Sequence, residues 1–313
     1  MMVICEHSKK PSNAVIGPKG QVRHSLWTIA RLLAWSADYL KSQGFDTPRL
    51  EGELLLATAL EVRRIDLYLD FQRPLGPSEL ADFKKLLFRR LGHEPMAYII
   101  GRKAFYTLEL AVGPGALIPR PETETLVEAA LDLLPGPPED AGLEILDLGT
   151  GCGPVVLSLA ADRPGLQLTA ADISTEALDQ CRANAKTLAQ EVCIEFLCGD
   201  LFSPLTGRRF DLIVMNPPYV SLGEYAGLAP EITDYEPAAA LLAGEDGLDL
   251  IARLIAQAPD YLKERGWLLF EMGAGQGAAV KELLAAGPWE EIAIHLDLAG
   301  RDRVGAARLK ERG

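Results

Sequence analysis

Leu146-Asp147-Leu148-Gly149-Thr150-Gly151-Cys152-Gly153 decides the fold. Its apolar start reads as the end of a strand, and Pro154, which suits a first helical turn, opens a helix after it. Three glycines let the backbone turn tightly and approach a ligand closely, with helix N–H groups behind them. Asp172 ends the next apolar run, Leu168-Thr169-Ala170-Ala171, 21 residues after Gly151 (172 − 151). A carboxylate at that place can accept hydrogen bonds from both hydroxyls of a ribose.

Outward from this loop, strand and helix alternate. Strands are expected at about 143–148, 166–171, 192–197, 210–215, 266–272 and 290–296, and helices at about 154–162, 174–188, 246–264 and 275–286. The alternation predicts an α/β fold with a doubly wound, mostly parallel sheet. A last apolar stretch, Val304 to Leu309, is expected to pair antiparallel at the edge. The strand Phe210-Asp211-Leu212-Ile213-Val214-Met215 is cut off by Pro217 and Pro218, which have no N–H to give a sheet. It leaves Asn216-Pro217-Pro218-Tyr219 at a carboxyl end, where open α/β sheets place their ligands. Taken alone, the tetrapeptide fits a plain turn with the tyrosine packing under it equally well.

Upstream the pattern is helical. Leu26, Ile29, Leu32, Leu33 and Leu40 recur at helical spacing up to Gly44. Thr47-Pro48 opens a second helix with Leu50, Leu54 and Ala57 as its expected stripe. Gly76-Pro77 opens a third, with Leu80, Phe83, Leu86 and Leu87 facing inward and Lys84, Lys85, Arg89 and Arg90 outward. Phe105, Tyr106, Leu108, Leu110 and Val112 then alternate with other residues before a turn at Gly113-Pro114-Gly115, which predicts a β-hairpin joining two domains. Pro119-Arg120-Pro121-Glu122-Thr123-Glu124 makes a stiff corner. It is either a helix start whose glutamates favour the positive helix end, or a lid wall over a ligand.

Composition narrows the classes. The 313 residues carry a net charge of −13, which argues against a large phosphate-binding surface and so against direct nucleic-acid binding. The five cysteines (Cys5, Cys152, Cys181, Cys193 and Cys198) include no C-x-x-C pair and fit reduced thiols in a cytoplasmic protein. Four scattered histidines suggest no metal site, and Cys152 reads as a small loop filler rather than a nucleophile. No apolar run reaches membrane-spanning length, and the first 20 residues read as an unstructured extension or an early start rather than a secretory signal.

The spacing G-x-G-x-G lacks the last glycine of the dinucleotide fingerprint G-x-G-x-x-G, and resembles the first motif of class I S-adenosylmethionine-dependent methyltransferases. That resemblance implies a seven-stranded sheet. It also implies S-adenosyl-L-methionine as methyl donor, with S-adenosyl-L-homocysteine as product. The cofactor residues would be Gly149, Thr150, Gly151, Cys152, Gly153, Asp172 and Asn216, with Asp200 and Leu201 at the adenine. Asn216-Pro217-Pro218-Tyr219 resembles the motif of methyltransferases acting on planar nitrogens. Such a nitrogen has its lone pair delocalised and is a poor nucleophile. The Asn216 side-chain oxygen and the Pro217 carbonyl can accept both its hydrogens, hold it in line and stabilise the charge that develops. Pro217 and Pro218 keep these acceptors fixed, and Tyr219 can pack against the plane of the target.

Across its length the chain resembles the release-factor glutamine methyltransferase (PrmC/HemK) family. The match includes Thr47-Pro48-Arg49-Leu50-Glu51, Glu94-Pro95-Met96-Ala97-Tyr98-Ile99-Ile100-Gly101, the Pro119–Glu124 corner, Tyr235-Glu236-Pro237, Glu271-Met272-Gly273 and Asp297-Leu298-Ala299-Gly300-Arg301-Asp302-Arg303. It implies methylation of N5 of the glutamine in the Gly-Gly-Gln tip of peptide-chain release factors, with Glu122 and its neighbours bordering cofactor and glutamine. The residue patterns give a domain plan of an extension over 1–20, a helical domain over 21–95, a linker with a hairpin over 96–120 and the methyltransferase domain over 121–313, and the resemblance implies that the helical domain helps hold the release factor. A monomer is expected. The nearest rival is a glutamine methyltransferase of a ribosomal protein, whose corner resembles Pro-Arg-Ser-Pro. A DNA adenine methyltransferase would need basic grooves and base flipping. A non-catalytic release-factor-binding protein should show erosion of Asp172, the glycines or Asn216, and none is eroded.

Overall fold

The computed structural model describes residues 26–188 and 194–311. The expected extension over residues 1–20, with Cys5, and also Cys193 lie outside the described residues. The chain divides between Gly92 and His93 into two units.

The first unit holds α1 (Ile29–Ser42), α2 (Pro48–Ala59), a single turn α3 (Asp66–Leu69) and α4 (Pro77–Leu91). Thr28 caps α1, and Pro48 and Pro77 occupy the first turns of α2 and α4, where no helical N–H is needed. Leu32, Leu33, Leu40, Leu55, Leu56, Phe83 and Leu87 form its core. Three expectations fail here. Leu26 precedes α1 and is exposed. Leu50 is exposed and Leu54 half-buried, because α2 turns Glu51, Gly52, Leu55 and Leu56 inward instead. Gly52 meets α1 so closely that a Cβ there would lie 2.6 Å from Ser36 Oγ. Arg90 does not join the outer basic face: it is buried, donating from Nε and Nη2 to the two oxygens of Glu51 at 2.8 and 3.0 Å. A buried bidentate pair of this kind overrides the helical charge pattern.

The second unit begins with α5 (Met96–Ile100) and the hairpin β1 (Arg102–Phe105) and β2 (Leu108–Ala111). The hairpin turns earlier than expected, at Tyr106-Thr107, with Tyr106 at φ 53°; Gly113-Pro114-Gly115 follows it. The elements after it are α6 (Glu124–Leu133), β3 (Glu144–Leu148), α7 (Pro154–Asp162), β4 (Gln167–Asp172), α8 (Thr175–Thr187), β5 (Ile194–Cys198) and β6 (Phe210–Met215). Two short turns, α9 (Leu222–Tyr225) and α10 (Pro230–Thr233), lead to α11 (Asp249–Gln257), β7 (Leu262–Glu271), α12 (Gly277–Ala285), β8 (Trp289–Leu296) and β9 (Asp302–Leu309). The helix expected over 246–264 is shorter at both ends. Gly247 adopts φ 73° before it, and Ala258-Pro259-Asp260 tightens into a 3₁₀ turn after it.

The seven-stranded sheet has the order β5-β4-β3-β6-β7-β9-β8, parallel from β5 to β7, with β9 antiparallel to both β7 and β8. Val304–Leu309 is therefore not the edge. Burial explains why: β9 is buried along nearly all its length, whereas β8 is buried only at Trp289 and half-open or exposed beyond it, as an edge strand is. The period-2 alternation of the strands splits the core in two. Ile145, Leu168, Val214 and Leu269 face α6, α7 and the hairpin. Leu146, Ile213, Leu268 and Phe270 face α11 and α12. Each such fully buried side chain contributes about 1.5–3 kcal/mol. Chain order reverses between β3 and β6, so a crevice opens at their carboxyl ends.

Candidate active site

Four strand ends stand side by side at that crevice, in the order β5, β4, β3, β6. They carry Asp200, Asp172, the glycine loop and Asn216, spread over roughly 14 Å at the usual strand spacing. The loop after β3 holds Gly149, Gly151 and Gly153 at φ 65°, 58° and 94°. At Gly153 packing adds to the requirement, since a Cβ would lie 2.6 Å from Cys181 Sγ; at Gly151 it would meet open space. Beneath the loop, buried Asp147 accepts from Thr150 Oγ1 at 2.7 Å and from the Val156 N–H at 3.2 Å. Burial pushes its carboxyl up to about 7. Burial also raises the Cys152 thiol to about 12, so it stays protonated and packs as an apolar group. The Cys152 carbonyl accepts from Asn184 Nδ2, and Asn184 in turn bonds both backbone groups of Ala111 in β2. The hairpin thereby braces the loop.

Asp172 is oriented by two backbone donors, Gly151 N–H to Oδ2 at 2.9 Å and Ser174 N–H to Oδ1 at 2.8 Å. Each oxygen keeps a lone pair for the crevice. Asp200 pairs with Arg253 of α11 at 2.7 Å, and Leu201 beside it is buried at φ 46°. At the far end Asn216 donates from Nδ2 to Thr123 Oγ1 at 3.1 Å. Tyr219 points away from the crevice: its hydroxyl donates to buried Glu271 at 2.9 Å, and its carbonyl accepts from Gln276 Nε2 at 3.1 Å. Burial, with the Glu271 charge, raises the Tyr219 phenol, which stays protonated. The expected packing of Tyr219 on a target plane gives way to a supporting contact from below.

The Pro119–Glu124 corner is held by Glu236, which accepts from the Ile118 N–H at 3.0 Å and from Arg120. Pro119, Arg120 and Thr123 line the crevice, but Glu122 does not; it lies 3.8 Å from Arg301 in an ion pair at the other side of the corner. Pro121 starts a 3₁₀ turn here that carries Glu122 outward and Thr123 inward. The crevice encloses about 490 Å³, lined by Gly149, Gly151, Asp172, Asp200, Leu201 and Asn216 among others. That is the size of a small-molecule site. Open space at Gly151, free lone pairs on Asp172 and the apolar Leu201 fit an extended nucleoside with a polar tail. Among the described residues no group of His, Cys, Asp or Glu could hold a metal ion, and no helix is long and apolar enough to cross a membrane.

Comparison with known proteins agrees. Residues 31–101 match the family described as the PrmC N-terminal domain, and residues 128–232 the methyltransferase small domain. A release factor glutamine methyltransferase of Geobacter sulfurreducens is 39% identical over 284 residues, covering 91% of this chain and 98% of that protein. The chain belongs to the release factor glutamine methyltransferase family. A second member, from Vibrio cholerae, is 41% identical, covering 90% of this chain and 97% of its own. The solved structure of the hMettl16 catalytic domain in complex with an RNA hairpin overlays at a TM-score of 0.52 and 17% identity, over 65% of this chain and 76% of that one. It shares the fold. Membership makes the chain an S-adenosylmethionine-dependent methyltransferase, and the fold is that of class I.

Sequence reasoning took in Thr123 only as a neighbour of Glu122 in the corner, and missed Asn184, Arg253 and Gln276 as supports of this family's site. Each reaches it through tertiary contacts that no local spacing announces. In the sequence Glu271 stands out only within the family match, and its place at the end of β7, next to β6, brings it beside the strand end that carries Asn216.

Proposed function

We propose that the chain transfers a methyl group from S-adenosylmethionine to side-chain N5 of the glutamine in the Gly-Gly-Gln tip of peptide-chain release factors. The observation that carries this reading is the side chain of Asn216, whose Nδ2 is taken by Thr123 so that Oδ1 is the end left for a substrate. Membership of the family supplies the substrate class. When bound, S-adenosylmethionine supplies an electrophilic methyl on a sulfonium and leaves as the neutral S-adenosylhomocysteine. The glycine loop 149–153 and Asp172 hold it, with Asp200 and Leu201 at the adenine. Asn216 Oδ1 and the Pro217 carbonyl accept the two N5 hydrogens, which orients the lone pair and stabilises the positive charge forming on nitrogen. One N5 proton then passes to water. Pro218 stiffens the clamp, Tyr219 props it from Glu271, and Glu122 acts from the rim with Arg301. Residues 21–95 recognise the release factor, 96–120 link, and the chain works as a cytoplasmic monomer without direct nucleic-acid or membrane binding.

The test uses purified protein, methyl-labelled cofactor and a release factor. Label is expected on the Gly-Gly-Gln glutamine, and label on a ribosomal protein or DNA instead would refute the reading. Asn216→Ala should lower turnover about 10²–10³-fold while leaving cofactor binding within a few-fold, as for loss of one oriented transition-state contact.

A further inference from the structure

We propose that Gln276 is a positioning residue that staples the amide clamp to the wall of the cofactor crevice and so fixes the spacing between methyl donor and acceptor. The inference rests on the reading of Asn216–Tyr219 as the clamp. Pro217 and Pro218 remove two N–H groups from this tetrapeptide, so its carbonyls and side chains must supply the contacts that hold it. Tyr219 is held twice, and both holds come from the connection between β7 and α12. Glu271 accepts from its hydroxyl at 2.9 Å, and Gln276 Nε2 donates to its carbonyl at 3.1 Å.

Gln276 also reaches the loop 244–248. The same Nε2 donates to the carbonyls of Asp246 and Gly247, each at 3.3 Å. Gly247 stands at φ 73°, and a Cβ there would overlap the Tyr219 carbonyl and lie 2.8 Å from Nε2, so a glycine is what lets the three carbonyls converge. At the other end of the amide, Oε1 accepts the Gly273 N–H at 2.8 Å. That fixes its orientation: carbonyls only accept, so the reversed side chain would set an oxygen against three oxygens. Both arms of the loop line the crevice, Ala243 and Gly244 on one side of its tip and Asp249 and Leu250 on the other. Backbone hydrogen bonds from Val220 to Leu241 and from Leu222 to Gly244 tie the near arm to the chain leaving the clamp, and Gln276 ties the tip. Clamp and cofactor wall are thereby held as one piece. The spacing matters because a misplacement of about 1 Å in a reacting pair costs about 10²-fold in rate.

Two variants of nearly the parent's size test this, because a staple and a plain helix cap order them oppositely. Gln276→Met keeps the bulk and loses every hydrogen bond. Gln276→Glu keeps the bulk and can still accept from Gly273, but at about pH 8 it is ionised, has no hydrogen to give and sets a charge against three carbonyls. A residue that only capped α12 would tolerate the glutamate better, since a negative charge favours a helix start. A staple tolerates it worse. The expected result is a fall in kcat of about tenfold for Gln276→Met and about a hundredfold for Gln276→Glu at saturating cofactor. KM for the release factor and the calorimetric Kd for S-adenosylhomocysteine should stay within about threefold of the parent. A kcat for Gln276→Met within about twofold of the parent overturns the proposal, as does a glutamate variant at least as active as the methionine one. So does a loss of cofactor affinity that accounts for the whole effect, which marks a role in the cofactor wall alone. If a thermal melt shows that Gln276→Glu does not fold, the methionine variant decides alone. Asn216→Ala run alongside separates the two levels: if it stays active, the clamp reading itself is wrong, whereas an inactive Asn216→Ala with unimpaired Gln276→Met condemns only the staple.

Discussion

Asp172→Asn changes one atom of the side chain and should cost most of the cofactor affinity. Both carboxylate oxygens of Asp172 already accept a backbone N–H, from Gly151 at 2.9 Å and from Ser174 at 2.8 Å. An asparagine has one oxygen, so whichever way it turns its amide confronts one of these donors. The loop relaxes from that clash in the free protein, and the cofactor must restore it on binding. Leaving one donor unsatisfied costs about 1–3 kcal/mol, and exchanging a charged acceptor for a neutral one weakens a ribose hydrogen bond by about 1 kcal/mol. Together these come to about 3 kcal/mol, or roughly a 150-fold rise in Kd. Calorimetric titration with S-adenosylhomocysteine measures it directly, and a thermal melt shows that the protein stays folded. Turnover at saturating cofactor should return to within a few-fold of the parent, because Asp172 lies two strands from Asn216 in the sheet. A Kd within threefold of the parent would refute the assignment, and so would a turnover defect that cofactor cannot rescue.

The last two glycines of the loop should separate by phenotype. Gly153→Ala puts a Cβ 2.6 Å from Cys181 Sγ and 2.7 Å from Leu157 Cδ1 at φ 94°, so a stability loss of about 2–5 kcal/mol is expected in urea denaturation. Gly151→Ala meets no neighbour within 4 Å and should instead weaken the cofactor through the crevice it intrudes on, with a smaller shift of the urea midpoint. Asp147 gives a pH prediction. Burial raises its carboxyl to about 7, so the folded chain holds this proton more tightly than the unfolded chain does. Between about pH 4 and pH 7 the group therefore makes stability fall as pH rises, by at most about 1.4 kcal/mol per pH unit. Asp147→Asn, whose oxygen can still accept from Thr150, should flatten that slope in urea midpoints taken across the range; parallel profiles for the two proteins would show that Asp147 ionises without penalty.

How far the sequence could be read depended on whether a feature was local. The glycine loop, the strand that ends at Asn216 and the alternation around them are short-range signals, and the sheet follows from them. The helical unit was harder, because its apolar stripes compete with a buried charge pair. Glu51 and Arg90 are 39 residues apart, so nothing in α4 alone distinguishes Arg90 from its exposed neighbour Arg89. Helical spacing places Leu50 in the stripe, yet it is Gly52 that faces α1, and close helix approach selects for the absence of a side chain. The order of the last two strands was also hidden. An apolar C-terminal stretch fits either an edge or an interior place, and only the antiparallel hairpin of β8 with β9 inserts the latter beside β7.

The same distinction runs through the active site. Asn216 and Pro217 take their chemistry from the resemblance of the tetrapeptide to a motif for planar nitrogens, since residue type alone leaves a plain turn equally open. What could not be read is why the asparagine presents its oxygen. The contact on its amide nitrogen comes from Thr123, 93 residues earlier in the chain, and the prop under Tyr219 from Glu271, 52 residues after it. Thr123 sits in a corner that reads as a helix start or as a lid wall, and Glu271, apart from the family match, looks like a carboxylate at the end of an apolar strand. A buried carboxylate there is costly unless donors surround it: burial pushes the Glu271 carboxyl up, and the Tyr219 hydroxyl with the nearby Arg303 guanidinium offsets part of that. The cost of burying Glu271 is thus tied to the contact that holds Tyr219, the last residue of the tetrapeptide that begins at Asn216. Replacing it with a well-packed apolar residue would relieve the burial and lose that hold.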